Sequence, residues 1–255
     1  MLWRTPSMGC LAWRVLFMEE FDINPIEKEF LIHGNKIKKK VFLNNFTAYN
    51  KNGKETIEKT KNCTTLYDYD DLGNLIHLKN SFGTEYWYKY DSSGNKTYLE
   101  TSEGDEVFFE YDNNDNCIYS KSSRGFEMQY RYNELNLKYF EFNSRFGDIT
   151  LYQYDKNNRL IRSIDSDGCV TKYCYDSKGN LTYNISSIGF LEYFEYDLQG
   201  NKIYSADCEL FDEEIDVENF ILDIDKYEKR ELYFEYEFYP DGKIQKMYIY
   251  ENSEE

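Results

Sequence analysis

A tyrosine-aspartate pair followed by a glycine turn recurs along this chain at a nearly fixed interval, and few folds accommodate such a period. The clearest copies are Tyr69-Asp70 with Gly73, Tyr90-Asp91 with Gly94, Tyr175-Asp176 with Gly179, and Tyr196-Asp197 with Gly200; each ends on an asparagine. Weaker copies begin at Tyr111, Tyr132 and Tyr154, so tyrosines at 69, 90, 111, 132, 154, 175 and 196 are 21 residues apart, once 22. A fixed period of this length signals a stacked array in which each unit buries its apolar face against its neighbours.

Within a unit, the position two before the key tyrosine is always aromatic: Tyr67, Tyr88, Phe109, Tyr130, Tyr152, Tyr173 and Phe194. The residue between the two rings is mostly polar, as at Asp68, Lys89, Glu110 and Arg131. Aromatic, polar, aromatic is period two, the pattern of a strand with one buried face. The next four residues read as a type I turn closed by a left-handed residue: aspartate accepts from backbone N–H groups and glycine supplies the positive φ. In the weaker copies Asn116, Asn136 and Asn158 lie near or at the glycine slot, and asparagine tolerates that conformation. A second strand then runs to a second turn marked by Gly83, Gly104, Gly125, Gly147, Gly168 or Gly189. Each unit is therefore a pair of antiparallel strands.

The Y-D-x-x-G-N pattern with its mid-repeat glycine resembles the RHS/YD-repeat family over residues 49–211, and again at Phe238 to Ile244 (F-Y-P-D-G-K-I). The resemblance implies repeats that coil into a hollow β-shell around a toxin domain in secreted bacterial toxins. It implies structural repeats and brings no catalytic residue with it. The chain departs from that pattern in its 255 residues, against many hundreds in such shells, and in lacking a proline- and aspartate-rich self-cleavage segment. About nine units of two strands would make a flat sheet on the order of 85 Å wide, which twist would curl or split. The expected fold is all-β: a tandem hairpin meander of 21-residue repeats forming a strongly curved open sheet or short β-spiral, with one short amphipathic helix near the C-terminus.

That helix is expected where one copy of the motif has been lost. The interval from Tyr196 to Phe238 is two periods, and its middle holds Asp212, Glu213, Glu214, Asp216, Glu218, Asp223 and Asp225. Val217, Phe220, Ile221 and Ile224 follow helical spacing, and Lys226, Lys229 and Arg230 at the end suit the helix dipole. The helix either caps a sheet edge with its acids in water or docks those acids on a basic partner. Met1 to Phe17 contains no acid and two of the three tryptophans, and reads as an upstream or vector-derived extension, with a signal peptide as the rival. Residues 18–48 form an N-terminal lead-in with a degenerate repeat, 49–211 the array, 212–230 the acidic insertion, and 231–255 a final degenerate repeat with an acidic tail. Lys36, Lys38, Lys39 and Lys40 read as a charged strand edge that discourages pairing.

The composition contains 26 Tyr, 18 Phe and a formal net charge of −17. So acidic a chain repels nucleic acid and favours either a basic partner or simple solubility of a sheet with edges to protect. His33 and His77 read as ordinary strand residues, and the six cysteines lack a C-x-x-C, which points to reduced thiols of a cytoplasmic protein and to no metal or cofactor. No stretch has the ~20 apolar residues of a membrane-spanning helix. The expected function is non-enzymatic: an immunity or antitoxin-like partner that meets a basic toxin through the acids at 212–225. Two alternatives stay open, a detached fragment of a toxin-enclosing shell and a carbohydrate-binding β array.

Overall fold

A computed structural model of the chain describes residues 26–32, 35–60, 62–210 and 215–252. The 1–17 extension, His33, Asp212, Glu213 and Glu214 lie outside the described residues. The strands are β1 (Ile26–Ile32), β2 (Asn35–Tyr49), β3 (Glu55–Thr60), β4 (Thr64–Tyr69), β5 (Leu75–Asn80), β6 (Glu85–Tyr90), β7 (Lys96–Thr101), β8 (Glu106–Tyr111), β9 (Cys117–Ser122) and β10 (Glu127–Tyr132). They continue as β11 (Lys138–Asn143), β12 (Asp148–Tyr154), β13 (Leu160–Asp165), β14 (Val170–Tyr175), β15 (Leu181–Ser186), β16 (Phe190–Tyr196), β17 (Lys202–Glu209), β18 (Arg230–Phe238) and β19 (Ile244–Asn252).

From β2 onward each strand pairs antiparallel with the next, and β19 then pairs antiparallel with β2, from Lys246 opposite Ala48 to Asn252 opposite Val41. The meander is a closed 18-stranded β-barrel, which corrects the expected open sheet or spiral. An even number of staves lets the last strand meet the first antiparallel. The perimeter is about 86 Å at ordinary strand spacing. The repeats themselves supply curvature. A register shift falls at the key aromatic of each first hairpin, between Asp68 and Tyr69, Lys89 and Tyr90, Glu110 and Tyr111, and onward to Glu237 and Phe238. A bulge bends its strand and deepens the local twist. Placed at the same level in successive units, the bulges coil the sheet until its ends meet. Residues 35–49 and 230–252 are staves of the same barrel as the array.

The turns follow the expected chemistry. Asp176 Oδ1 accepts from the backbone N–H groups of Lys178 (2.9 Å) and Asn180 (2.8 Å), and Oδ2 accepts from Asn180 Nδ2 (2.9 Å). Asp70, Asp91 and Asp197 are bonded in the same way. Gly179 has φ 94°, and Asp115, Asn136 and Asn158 adopt φ near 60° in the weaker copies. Asp115, not Asn116, holds the left-handed slot of the Tyr111 unit; Asn116 instead donates to Asp112 (3.0 Å).

Key tyrosines tie neighbouring units together. The hydroxyls of Tyr90, Tyr111, Tyr132 and Tyr175 donate to the backbone carbonyls of Leu75, Lys96, Cys117 and Leu160 at 2.8–2.9 Å. Tyr239 donates to the Tyr49 carbonyl at 2.7 Å and so links the final hairpin to β2 at the seam. A second ladder escaped the sequence reading. Ser81, Ser102, Ser123 and Ser187 each accept, through Oγ, the backbone N–H of a residue 17 positions earlier, at 3.0–3.1 Å. A serine twelve residues after each key tyrosine from Tyr69 to Tyr175 is its signature.

The pleat gives the barrel two unlike faces. One carries the key tyrosines and their partners two residues earlier. The other carries, through one continuous register, His77, Trp87, Phe108, Leu151, Ile185, Leu191, Tyr204 and Tyr233. The core lies on this second face, where Phe30 of β1, Val217 and Ile224 cover Ile185, Leu191, Tyr204, Ala206, Cys208, Tyr233 and Tyr250. Each large apolar side chain buried there contributes about 2 kcal/mol.

The covering segment at 215–229 is not the expected amphipathic helix. It contains a turn at Val217 to Asn219 and a single 3-10 turn at Ile224–Lys226. Asp216 accepts from the backbone N–H groups of Glu218 (3.1 Å) and Asn219 (3.3 Å) and from Asn219 Nδ2 (2.7 Å), a local turn that competes with helix nucleation. Leu222, off the helical stripe, packs against the core, whereas Ile221, on the stripe, is 86% exposed. Burial against the sheet outweighs helical periodicity. The segment also caps no sheet edge, because it lies on a face.

Candidate functional site

The second face is divided. From β14 to β19 it is covered by the chain itself, and from β5 to β12 no described residue covers it.

The covered half holds the most enclosed polar cluster. The Glu231 carboxylate accepts from Tyr204 Oη (2.8 Å), Tyr233 Oη (2.9 Å) and Lys39 Nζ (3.1 Å). Beside it Lys28 Nζ donates to Tyr250 Oη at 2.7 Å and pairs with Glu235, while the Phe30 ring stacks on Tyr233 with centroids 4.4 Å apart. Burial alone would raise the Glu231 pKa, but the bonds from Tyr204, Tyr233 and Lys39 outweigh it and hold the carboxyl below its usual range. Burial, reinforced by Glu231, pushes both phenols far above theirs. The carboxylate therefore stays ionised and the phenols protonated over a wide range of pH. These bonds fasten the β1–β2 hairpin to the barrel. Lys39 is thus engaged across the sheet, and Lys38 and Lys40 lie opposite Glu29 and Glu27 in the β1–β2 hairpin.

The bare half carries Trp87, Phe108, Ile149 and Leu151, with Phe108 50% exposed. Trp87 stands opposite His77 on one side and Glu100 on the other, and Tyr98 stands opposite Phe108. His77 is not an ordinary surface residue. Its Nδ1 is 3.0 Å from Asp68 Oδ2, its Nε2 is 2.9 Å from Glu85 Oε2, and its ring stacks beside Trp87 with centroids 5.5 Å apart.

The described acids of the insertion each have a local contact. Asp216 closes its turn, Asp223 pairs with Lys226 at 2.8 Å and Asp225 with Lys229 at 3.3 Å; Glu218 lies 3.6 Å from Arg162. Of the repeat residues, the aspartates and glycines that follow Tyr69, Tyr90, Tyr175 and Tyr196 build the turns, and Tyr90 and Tyr175 form rungs of the inter-unit ladder. Among the described residues Cys208 is buried and Cys63, Cys117, Cys169 and Cys174 are half-buried free thiols. No group of three or more His, Cys, Asp or Glu side chains among the described residues could hold a metal ion. No helix among them is long and apolar enough to cross a membrane.

No family model matches the chain, and no curated protein does. Among solved structures it is similar to the crystal structure of TcdB2-TccC3-TEV, with TM-score 0.38 and 13% identity over 80% of this chain and 15% of that one. It is also similar to TcdB2-TccC3 without its hypervariable C-terminal region, with TM-score 0.37 and 13% identity over 86% of this chain and 16% of that one. The chain thus spans less than a fifth of the length of either. The site described above rests on this chain's own residues alone.

Proposed function

We propose that this chain is a non-enzymatic YD-repeat binding module, acting in the cytoplasm as an immunity or antitoxin-like partner of a basic toxin domain. The observation that carries this reading is the divided second face: half is occupied by the chain's own hairpin and loop, and half presents bare aromatic and carboxylate side chains. A net charge of −17 would steer a basic partner onto such a surface and make the association rate sensitive to salt. The local pairing of Asp223 and Asp225 with lysines moves the expected contact from the insertion to the barrel.

The shell-fragment alternative loses support from closure. With β19 bonded to β2, both edges through which a meander would be extended are occupied. The carbohydrate alternative keeps one observation in its favour, the exposed Trp87 flanked by carboxylates.

Co-expression with basic toxin domains encoded beside this chain's gene, followed by co-purification at low and high salt, tests the proposal. The expected result is a complex that weakens steeply with salt. Failure of every such domain to co-purify or to titrate at low salt sinks it.

A further inference from the structure

We infer that the bare second face of β6, β7 and β8 is the docking surface, and that it receives an arginine-bearing segment of the partner. This deepens the function proposed above and rests on it. Six side chains converge there. Trp87 lies opposite Glu100, Glu100 opposite Glu106, and Tyr98 opposite Phe108, with Glu110 two residues beyond Phe108 on the same face. Directly opposed side chains in an antiparallel pair have Cβ atoms about 5 Å apart, so rings and carboxylates alternate within the reach of one guanidinium.

Two features make the rings suitable anchors. The His77 ring is held by carboxylates at both nitrogens and lies nearly parallel to the Trp87 indole, at an interplanar angle of 20°. Trp87 is therefore braced before any partner arrives, and a pre-ordered ring loses little freedom on binding. Phe108 is half exposed and packs its edge against Tyr98 with centroids 5.3 Å apart. The Tyr98 ring already carries Lys89 Nζ at 4.3 Å, which leaves Trp87 and Phe108 as the open rings.

The charge selects the occupant. Glu85 and Glu127, at the margins, have Lys79 and Lys121 as partners. Glu100 and Glu106 are instead bonded by the Tyr98 hydroxyl, at 3.1 and 2.6 Å, and Glu110 is exposed. A carboxylate with no ion-pair partner among the described residues, beside an exposed ring, favours a cation. Arginine fits better than lysine, because its planar guanidinium stacks on a ring while donating in its plane to a carboxylate. The same face already shows this contact within the chain, where the Arg131 guanidinium carbon lies 4.8 Å from the Phe140 ring centre.

The test is fluorescence anisotropy of the full chain with labelled peptides of alternating arginine and glycine, and of alternating lysine and glycine. At ~50 mM salt the arginine peptide is expected to bind about tenfold more tightly than the lysine peptide. Trp87→Ala and Phe108→Ala should each weaken it by about fivefold or more. Phe82→Ala, at an exposed hairpin tip, serves as a control and should change nothing. Both test residues are partly exposed, and unchanged circular dichroism and Tm would show that the variants fold. Absence of arginine-peptide binding, equal binding of the two peptides, or indifference to both face variants overturns the inference. So does a glycan-array signal that disappears in Trp87→Ala while the peptides are ignored. A toxin domain that co-purifies equally with wild type and Trp87→Ala removes this surface but leaves the proposed function. Peptide binding as described, with no toxin partner, does the reverse.

Discussion

Replacing Tyr175 with phenylalanine removes one rung of the ladder that joins neighbouring repeats and leaves its ring packing in place. The lost contact is a 2.8 Å hydrogen bond from the phenol to the Leu160 carbonyl, fifteen residues earlier. A neutral bond of near-ideal length contributes about 1 kcal/mol net, with a range of roughly 0.5–1.5 kcal/mol. Tyr90 makes the equivalent 2.8 Å bond to Leu75 four repeats away, with no shared partner. Tyr90→Phe combined with Tyr175→Phe should therefore cost about 2 kcal/mol, the sum of the two. Tyr139→Phe, at an exposed bulge position, is the control. Urea unfolding followed by circular dichroism reads these values, and a slope of about 2–3 kcal/mol/M turns a single loss into a midpoint shift of about 0.3–0.5 M. Tyr239→Phe extends the series to the seam, where the hydroxyl reaches Tyr49 across 190 residues of sequence. If Tyr175→Phe and Tyr139→Phe shift the midpoint equally, the ladder does not hold the units together and the reasoning fails.

An alanine at Gly83 should cost about 1–2 kcal/mol for its left-handed backbone alone, because an added Cβ meets nothing within 4 Å. Gly189→Ala should cost clearly more, since its Cβ would run into the Leu210 carbonyl oxygen; Tm values of the two variants decide. Phe30→Ala should lower stability by about 3–5 kcal/mol in denaturant titrations, and leave the repeats' strand signal intact if β1 only covers the barrel. Acid should destabilise the fold through the turns. Bonds from the residue four positions on depress Asp70, Asp91, Asp112, Asp155 and Asp176, and at Asp197 they do so against opposing burial. Their stabilisation is present above the ordinary aspartate value of ~3.9 and lost as pH falls through the depressed values, so Tm should drop below about pH 4. Burial, with Asp197, pushes Tyr236 up to about 12. Its contribution is present below the free phenol value of ~10 and lost as pH rises toward that raised value, which alkaline unfolding should show.

Strand, turn and unit were legible in the chain because each depends on neighbours close in sequence. The tyrosine spacing, the aspartate that caps its own turn and the glycine that must turn left-handed all act within a few residues. The serine ladder was equally present, twelve residues after each key tyrosine from Tyr69 to Tyr175, but a serine gives no hydrophobic signal. The candidate surface was half visible. Trp87 and Phe108 sit three residues before Tyr90 and Tyr111, a position that alternation assigns to the face opposite the tyrosines, but which part of that face the chain covers depends on contacts remote in sequence. Closure was decided only in three dimensions. It depends on bulge-driven twist summed over eighteen strands until Lys246 meets Ala48, and no local pattern encodes that sum. The insertion was decided there too: its helical spacing is real, yet burying Val217, Leu222 and Ile224 on an existing sheet is worth more than the bonds of a short helix. Local chemistry chose the unit, and the free energy of covering apolar surface chose how the ring was closed and filled.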